Sequence, residues 1–139
     1  MALDPICCSP ETDVARVAKL MTDNDCGAIA ICDGTRVVGI VTDRDIVTRG
    51  VATGADPKTL PVADVMTRNL ILVHEDDRVE RAVHLMESRH IRRLPVIDEE
   101  EQIVGMISMT DMAEHLAERQ AGELLREVSA VPRRIRHSH

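Results

Sequence analysis

The chain has 139 residues, a net charge of −7, 44% hydrophobic and 29% charged residues, and no Phe, Tyr or Trp. Such a composition suits a globular fold with an aliphatic core and argues against wholesale disorder. The charge is wrong for a general phosphate-backbone binder, and the lack of aromatic stacking platforms weakens a single-stranded nucleic-acid reading, so no nucleic-acid partner is expected.

The N-terminal "MALDPICC" has neither the basic region nor the long apolar stretch of a secretory signal. No apolar run approaches the ~20 residues of a membrane span, so a cytoplasmic location with no membrane partner is expected. A short strand is expected around Ile6–Cys8, then a polar turn. Val14, Val17, Ala18 and Met21 follow at the spacing of one helix face. Two apolar runs come next, "AIAIC" (28–32) and "VVGIV" (37–41), separated by Asp33-Gly34 as in a hairpin. A short helix near Asp43–Arg49 closes this part, and the Gly/Pro-punctuated "GVATGADPKTLP" (50–61) reads as a linker. Four cysteines, Cys7, Cys8, Cys26 and Cys32, lie in this first part without C-x-x-C spacing. Buried thiols are the expected state, with no metal site; a redox or zinc sensor built from them is the alternative.

The second part opens with a strand around Ile71–Val73. A helix face follows at Val79, Ala82, Val83 and Met86, with Asp77 and Glu80 as an expected cap pair. The runs "LPVI" (94–97) and "IVGMI" (103–107) flank the charged "DEEEQ" (98–102), and a helix is expected near Thr110–Glu118. Beyond it, "AERQAGELLREVSAV" (117–131) with Leu116, Leu124, Leu125 and Val128 presents an apolar face expected to pack back on the core. The basic "RRIRHSH" (133–139) is expected to be a solvated terminus.

These two parts are copies of one unit. At an offset of 65, Ile6, Val14, Arg16, Leu20 and Met21 lie over Ile71, Val79, Arg81, Leu85 and Met86; after one inserted residue, Val38, Gly39 and Asp45 meet Val104, Gly105 and Asp111. The order is β-α-β-β-α, twice, and neither copy is large enough to bury its sheet alone. The repeated "VVGIVTDRDI" and "IVGMISMTDM", with "RRLPVID" (92–98) and "VADVMT" (62–67), resemble a tandem cystathionine-β-synthase (CBS) domain pair over residues 5–118. The resemblance implies an α+β fold in which two β-α-β-β-α repeats pack face to face with pseudo-two-fold symmetry. Repeat 1 would span 1–49, a linker 50–63, repeat 2 64–118, and a helical extension with the basic tail 119–139.

Thr42 and Asp45 sit where the second apolar run of repeat 1 meets its helix. A hydroxyl followed three residues later by an acid makes a capping box. The same place suits a ligand: a helix N-terminus favours phosphate, and a carboxylate can accept from both hydroxyls of a ribose. In CBS pairs, the resemblance implies, the second use holds, with an adenosine-containing ligand in the cleft between repeats. The first site would comprise Thr42 and Asp45, with Cys26 and Ala28 lining the adenine and Arg93, Arg92 and His90 near the phosphates. The second would comprise Ser108, Asp111 and Ile91. Arginine suits phosphate because its planar fork matches the oxygens; the first-repeat counterparts Gly27 and Ala28 carry no charge, so the Asp45 site is expected to bind more tightly. Without aromatic stacking, micromolar affinity is expected, about −8 kcal/mol. AMP, ADP or ATP is the expected regulatory ligand, with S-adenosylmethionine and NAD(H) open. A homodimer and an effector protein are the expected partners. The scattered histidines, and the lack of a P-loop or G-x-G-x-x-G, point away from catalysis. The rival reading is a nucleotide-free interaction module.

Overall fold

β1 (Ile6–Cys8) runs through a polar turn into α1 (Val14–Asp23). Asp13 caps that helix, its carboxylate accepting the Arg16 N–H at 2.8 Å, and the expected face at Val14, Val17 and Met21 is buried. The chain returns as β2 (Ala28–Asp33), turns at Gly34, whose φ of +65° suits glycine, and comes back as β3 (Arg36–Thr42). An α-helical turn, α2 (Asp43–Asp45), widens into a π-helical turn at Ile46–Gly50 and tightens into a 3-10 turn at Val51–Thr53. The computed structural model describes residues 6–68, 70–110, 112, 124–128 and 136–138. They form two units, one built on Ile6–Leu70 with Arg136–His139, the other on Ile71–Ile135.

The second unit repeats the plan with β4 (Val73–His74), α3 (Val79–Arg89), β5 (Arg93–Ile97) and β6 (Ile103–Ser108), after which residues 109, 110 and 112 are helical. The likeness extends to register. Cys8 pairs in parallel with Ile31 as Val73 pairs with Val96, and Ile31 faces Gly39 as Val96 faces Gly105. Each hairpin is bulged at the next step, between Ile31 and Cys32 and between Val96 and Ile97. This is an α+β fold of two repeats, each with its own aliphatic core: Val14, Val17, Ile29, Ile31 and Val41 in one, Val79, Met86, Leu94, Val96 and Ile107 in the other.

Four details depart from the expectations. The stretch 62–67, which leads in sequence into the second repeat, packs in the first unit. Val62, Val65 and Met66 join that core, and Thr67 exchanges both backbone hydrogen bonds with Ile40, at 2.8 and 3.0 Å. The strand opening the second repeat is Val73–His74 rather than Ile71–Val73, because its parallel ladder begins only where Val73 meets Val96. Asp77 does not cap α3. The cap position falls to Arg78, the counterpart of Asp13, and Asp77 lies one residue early, so its carboxylate accepts from His74 N–H at 2.9 Å and pairs with Arg81. Finally, the basic tail is not wholly solvated: β7 (Arg136–Ser138) adds in parallel to β1, supplying partners to what would otherwise be an open sheet edge.

The C-terminal extension packs back as expected where it is described. In α4 (Leu125–Val128), Leu125 is fully buried in the second core; its N–H bonds Asp77 carbonyl, and Arg126 pairs with Glu75 and Asp76. Leu116 lies outside the described residues.

Candidate functional site

In the first repeat, α1 must stop and reverse within a few residues to feed β2. Asp25 takes the left-handed conformation (φ 49°), and Cys26 N–H reaches back to the Met21 carbonyl at 3.0 Å. That is a Schellman closure made without glycine. It delivers Cys26, half-buried, and then Ala28, whose ladder partner is Thr42. Asp43 N–H bonds the Gly27 carbonyl at 3.0 Å, so the start of β2 and the end of β3 are tied just where α2 begins.

There the capping box is complete. Thr42 Oγ1 accepts the Asp45 N–H at 3.1 Å, and Asp45 Oδ2 accepts the Thr42 N–H at 3.0 Å. Both residues therefore serve the fold. The box engages one carboxylate oxygen and one hydroxyl lone pair, so Asp45 Oδ1 and the Thr42 O–H lie outside it as acceptor and donor. Cys26, Ala28, Thr42 and Asp45 are thus gathered by the backbone at one end of one hairpin.

The second repeat builds the same corner. His90 is left-handed (φ 55°), the counterpart of Asp25, and both His90 and Ile91 N–H groups bond the Met86 carbonyl. The sequence singled out His90 as a neighbour of the arginines; its backbone also turns the chain, a role visible only as the repeat position shared with Asp25. Met109 N–H bonds the Arg92 carbonyl at 2.7 Å, as Asp43 bonds Gly27, and Arg93 is the ladder partner of Ser108 as Ala28 is of Thr42. Arg92 is exposed, while Arg93, Ile91 and Ser108 are half-buried. The corner that carries Gly27 and Ala28 in one repeat carries two guanidinium groups in the other. Asp111 lies outside the described residues. Arg49, which the sequence did not single out, aims its guanidinium at the Val65 and Met66 carbonyls (3.4 Å each), tying the helical segment after the first corner to the 62–67 stretch.

Cys7, Cys8 and Cys32 are buried free thiols, as expected, and Cys26 is half-buried. Burial pushes the Cys8 thiol up to about 11, and a hydrogen bond with Cys32 together with burial pushes Cys7 up as well. Among the described residues no group of three or more His, Cys, Asp or Glu side chains is placed to hold a metal ion. No helix among them is long and apolar enough to cross a membrane.

Two copies of one corner, in matching register, have a counterpart among known proteins: the CBS domain family matches residues 1–51 and 62–118. The chain belongs to the CBS domain family. Hypoxic response protein 1 of Mycobacterium tuberculosis is 34% identical over 113 residues, covering 81% of this chain and 78% of that protein. A crystal structure of Hypoxic Response Protein I, described with two coordinated zinc ions, superposes with a TM-score of 0.72 at 33% identity, covering 83% of this chain and 94% of the other. The CBS domain pair of protein MJ0100, in complex with 5'-methylthioadenosine and S-adenosyl-L-methionine, gives a TM-score of 0.73 at 26% identity, covering 81% and 92%. This CBS pair thus resembles both a pair described with zinc and a pair described with adenosine compounds.

Proposed function

We propose that this CBS pair is a regulatory module that binds an adenosine-containing ligand, AMP, ADP or ATP first among them, and passes the bound state to a partner protein. The observation that supports it best is the Thr42–Asp45 corner: a carboxylate and a hydroxyl held by reciprocal hydrogen bonds at a helix start, each with hydrogen-bonding capacity outside the box. Likeness to the MJ0100 pair, described with two adenosine compounds, supports the ligand class.

In this reading Asp45 accepts from the ribose hydroxyls, Thr42 donates alongside it, and Cys26 and Ala28 line the base. Arg93, with Arg92 and His90, neutralises phosphate; Ser108, Asp111 and Ile91 form a second, weaker site. Signalling follows from differential affinity, since a ligand shifts a conformational equilibrium only by the difference in its binding to the two states. The proposed partners are a second copy of the chain and an effector protein, and the reading is regulatory rather than catalytic.

The test uses the chain's lack of Phe, Tyr and Trp, which leaves it nearly silent in the nucleobase absorption band. Purified protein is expected to carry an adenine-like peak, or to be stabilised in melting by a nucleotide panel. Ligand at ~100 times its Kd adds about 2.7 kcal/mol. Asp45→Ala is expected to abolish the effect, and Arg93→Ala to weaken phosphate-bearing ligands more than adenosine itself. No peak and no shift with any nucleotide would leave Thr42 and Asp45 as a helix cap alone. One observation favours that interaction-module alternative: Val47 and Val51, 57% and 60% exposed, are large apolar side chains one helical turn apart.

A further inference from the structure

The first repeat carries on the β1–β2 pair beside its hairpin bulge something that the second does not. β1 and β2 are parallel, with Cys7 opposite Ala30 and Cys8 opposite Ile31. Because side chains alternate faces along a strand, Cys7 and Cys32 share a face, while Cys8 points the other way into the first core. Diagonal neighbours of this kind ordinarily stand well apart. Here the ladder to β3 shifts register beside Cys32, with Val38 of β3 as the extra residue, and Cys32 Sγ lies 2.7 Å from Cys7 Sγ. A disulfide needs about 2.05 Å, so closing the bond takes well under ~1 Å of movement. In the second repeat the same bulge lies between Val96 and Ile97, and the counterparts of Cys7 and Cys32 are Leu72 and Ile97, an aliphatic pair. The repeat supplies the geometry, and only the first copy places sulfur on it.

We propose that Cys7 and Cys32 form an intramolecular disulfide that staples β1 to β2, closed by a low-molecular-weight disulfide oxidant. Cys32, at 3% exposure against 0% for Cys7, is the one with any surface. Its thiolate attacks the small disulfide, forming a mixed disulfide and releasing one small thiol. The Cys7 thiolate then attacks Cys32 Sγ, forming the protein disulfide and expelling the second small thiol. Two protein thiols are oxidised, one small disulfide is reduced to two thiols, and the protons lost by Cys7 and Cys32 end on those products. Burial makes both steps depend on local opening of the strand pair, and it shields the closed bond from reductant afterwards. The pairing is specific. Cys8 lies on the opposite face, and Cys26 precedes β2.

The decisive experiment equilibrates the folded chain, and separately the chain refolding from denaturant, in mixtures of reduced and oxidised glutathione. Remaining thiols are then trapped by alkylation and the unreduced peptides mapped. The expected result is a protein that takes up two alkyl groups rather than four, with Cys7 linked to Cys32 and with Cys8 and Cys26 alkylated. Cys7→Ser and Cys32→Ser are each expected to remove the link without creating another. Alkylation of all four cysteines in excess oxidised glutathione would overturn the proposal. So would glutathione retained on Cys7 or Cys32 without closure, or a link through Cys8 or Cys26. The wild-type map decides the matter even where a variant fails to fold.

Discussion

Gly39 lies directly beneath Met66. A Cβ built on Gly39 would stand 2.6 Å from Met66 Sδ and 3.2 Å from the Thr67 carbonyl oxygen. The thioether can swing aside, but that carbonyl is held by Ile40 N–H at 3.0 Å and cannot retreat without breaking the bridge that docks residues 62–67. Gly39→Ala is therefore expected to destabilise the fold by about 1–3 kcal/mol through overpacking. Combined with Met66→Ala it should cost less than the two single changes added, because each relieves the other. Urea titration of the four proteins in the cycle measures this; strict additivity would mean that Met66 and Gly39 do not share the space.

Thr42→Ala removes the hydroxyl that accepts Asp45 N–H and should cost about 1 kcal/mol, with Thr42→Ser restoring most of it. Asp45→Ala removes the reciprocal half of the box and should cost a similar amount. If Asp45 also binds ribose, its replacement must cut nucleotide affinity by far more than that loss of stability accounts for. Melting with and without nucleotide, on both variants, separates cap from ligand.

The hairpin strands and the helices α1 and α3 are legible in the sequence because their apolar positions have clear periods, and the repeat is legible because both copies keep those positions; the helix expected near Thr110–Glu118 lies, beyond residues 110 and 112, outside the described residues. Thr42 and Asp45 stood out as a cap pair, and the box is formed. What the sequence could not convey is set by partners distant along the chain. Residues 62–67 belong with the first core because Gly39 makes room for Met66. Asp77 misses the helix cap by one residue because Arg78 takes the cap position and the Asp77 carboxylate turns back to His74 N–H, a local choice the apolar period does not encode. The tail at Arg136–Ser138 has no strand pattern of its own and is recruited by the edge of β1. Cys7 and Cys32, 25 positions apart, meet across the β1–β2 pair, which no local signal announces.

Leu125 is fully buried in the second core although it lies beyond the repeat, and its N–H is fixed to the Asp77 carbonyl at 2.9 Å. Leu125→Ala is expected to cost about 2–5 kcal/mol. Arg126→Ala should cost less, about 1 kcal/mol, because that side chain is 43% exposed and its pairing is screened. Hydrogen exchange resolves the origin. Leu125→Ala should raise exchange in α3 and β5 before it does so in α1 and β2.

The proposed disulfide would close a loop of 25 positions. Constraint of the unfolded chain by such a loop corresponds to about 3.5 kcal/mol in the chain-entropy account. The oxidised protein should therefore melt several degrees above the reduced one, and added phosphine reductant, given time for strand opening, should erase the difference. Cys7→Ser, melted with and without oxidant, should show none.

Under reducing conditions Cys8, on the other face of β1, makes the fold sensitive to alkali. Cys8 titrates near 9.0 in an exposed setting and is pushed up to about 11 by burial in the folded chain. Below pH 9 both states hold the proton, so the stability associated with its burial is fully present. Between about pH 9 and 11 the unfolded chain releases the proton while the folded chain keeps it, so stability falls as pH rises. Two units correspond to about 2–3 kcal/mol. Cys8→Ala carries a cavity cost that is the same at every pH, so its stability deficit relative to wild type should be largest at pH 8 and shrink by pH 11. Urea titration of both proteins across that range, with reductant present, measures the narrowing; a deficit constant with pH would mean that Cys8 is not held as a buried neutral thiol.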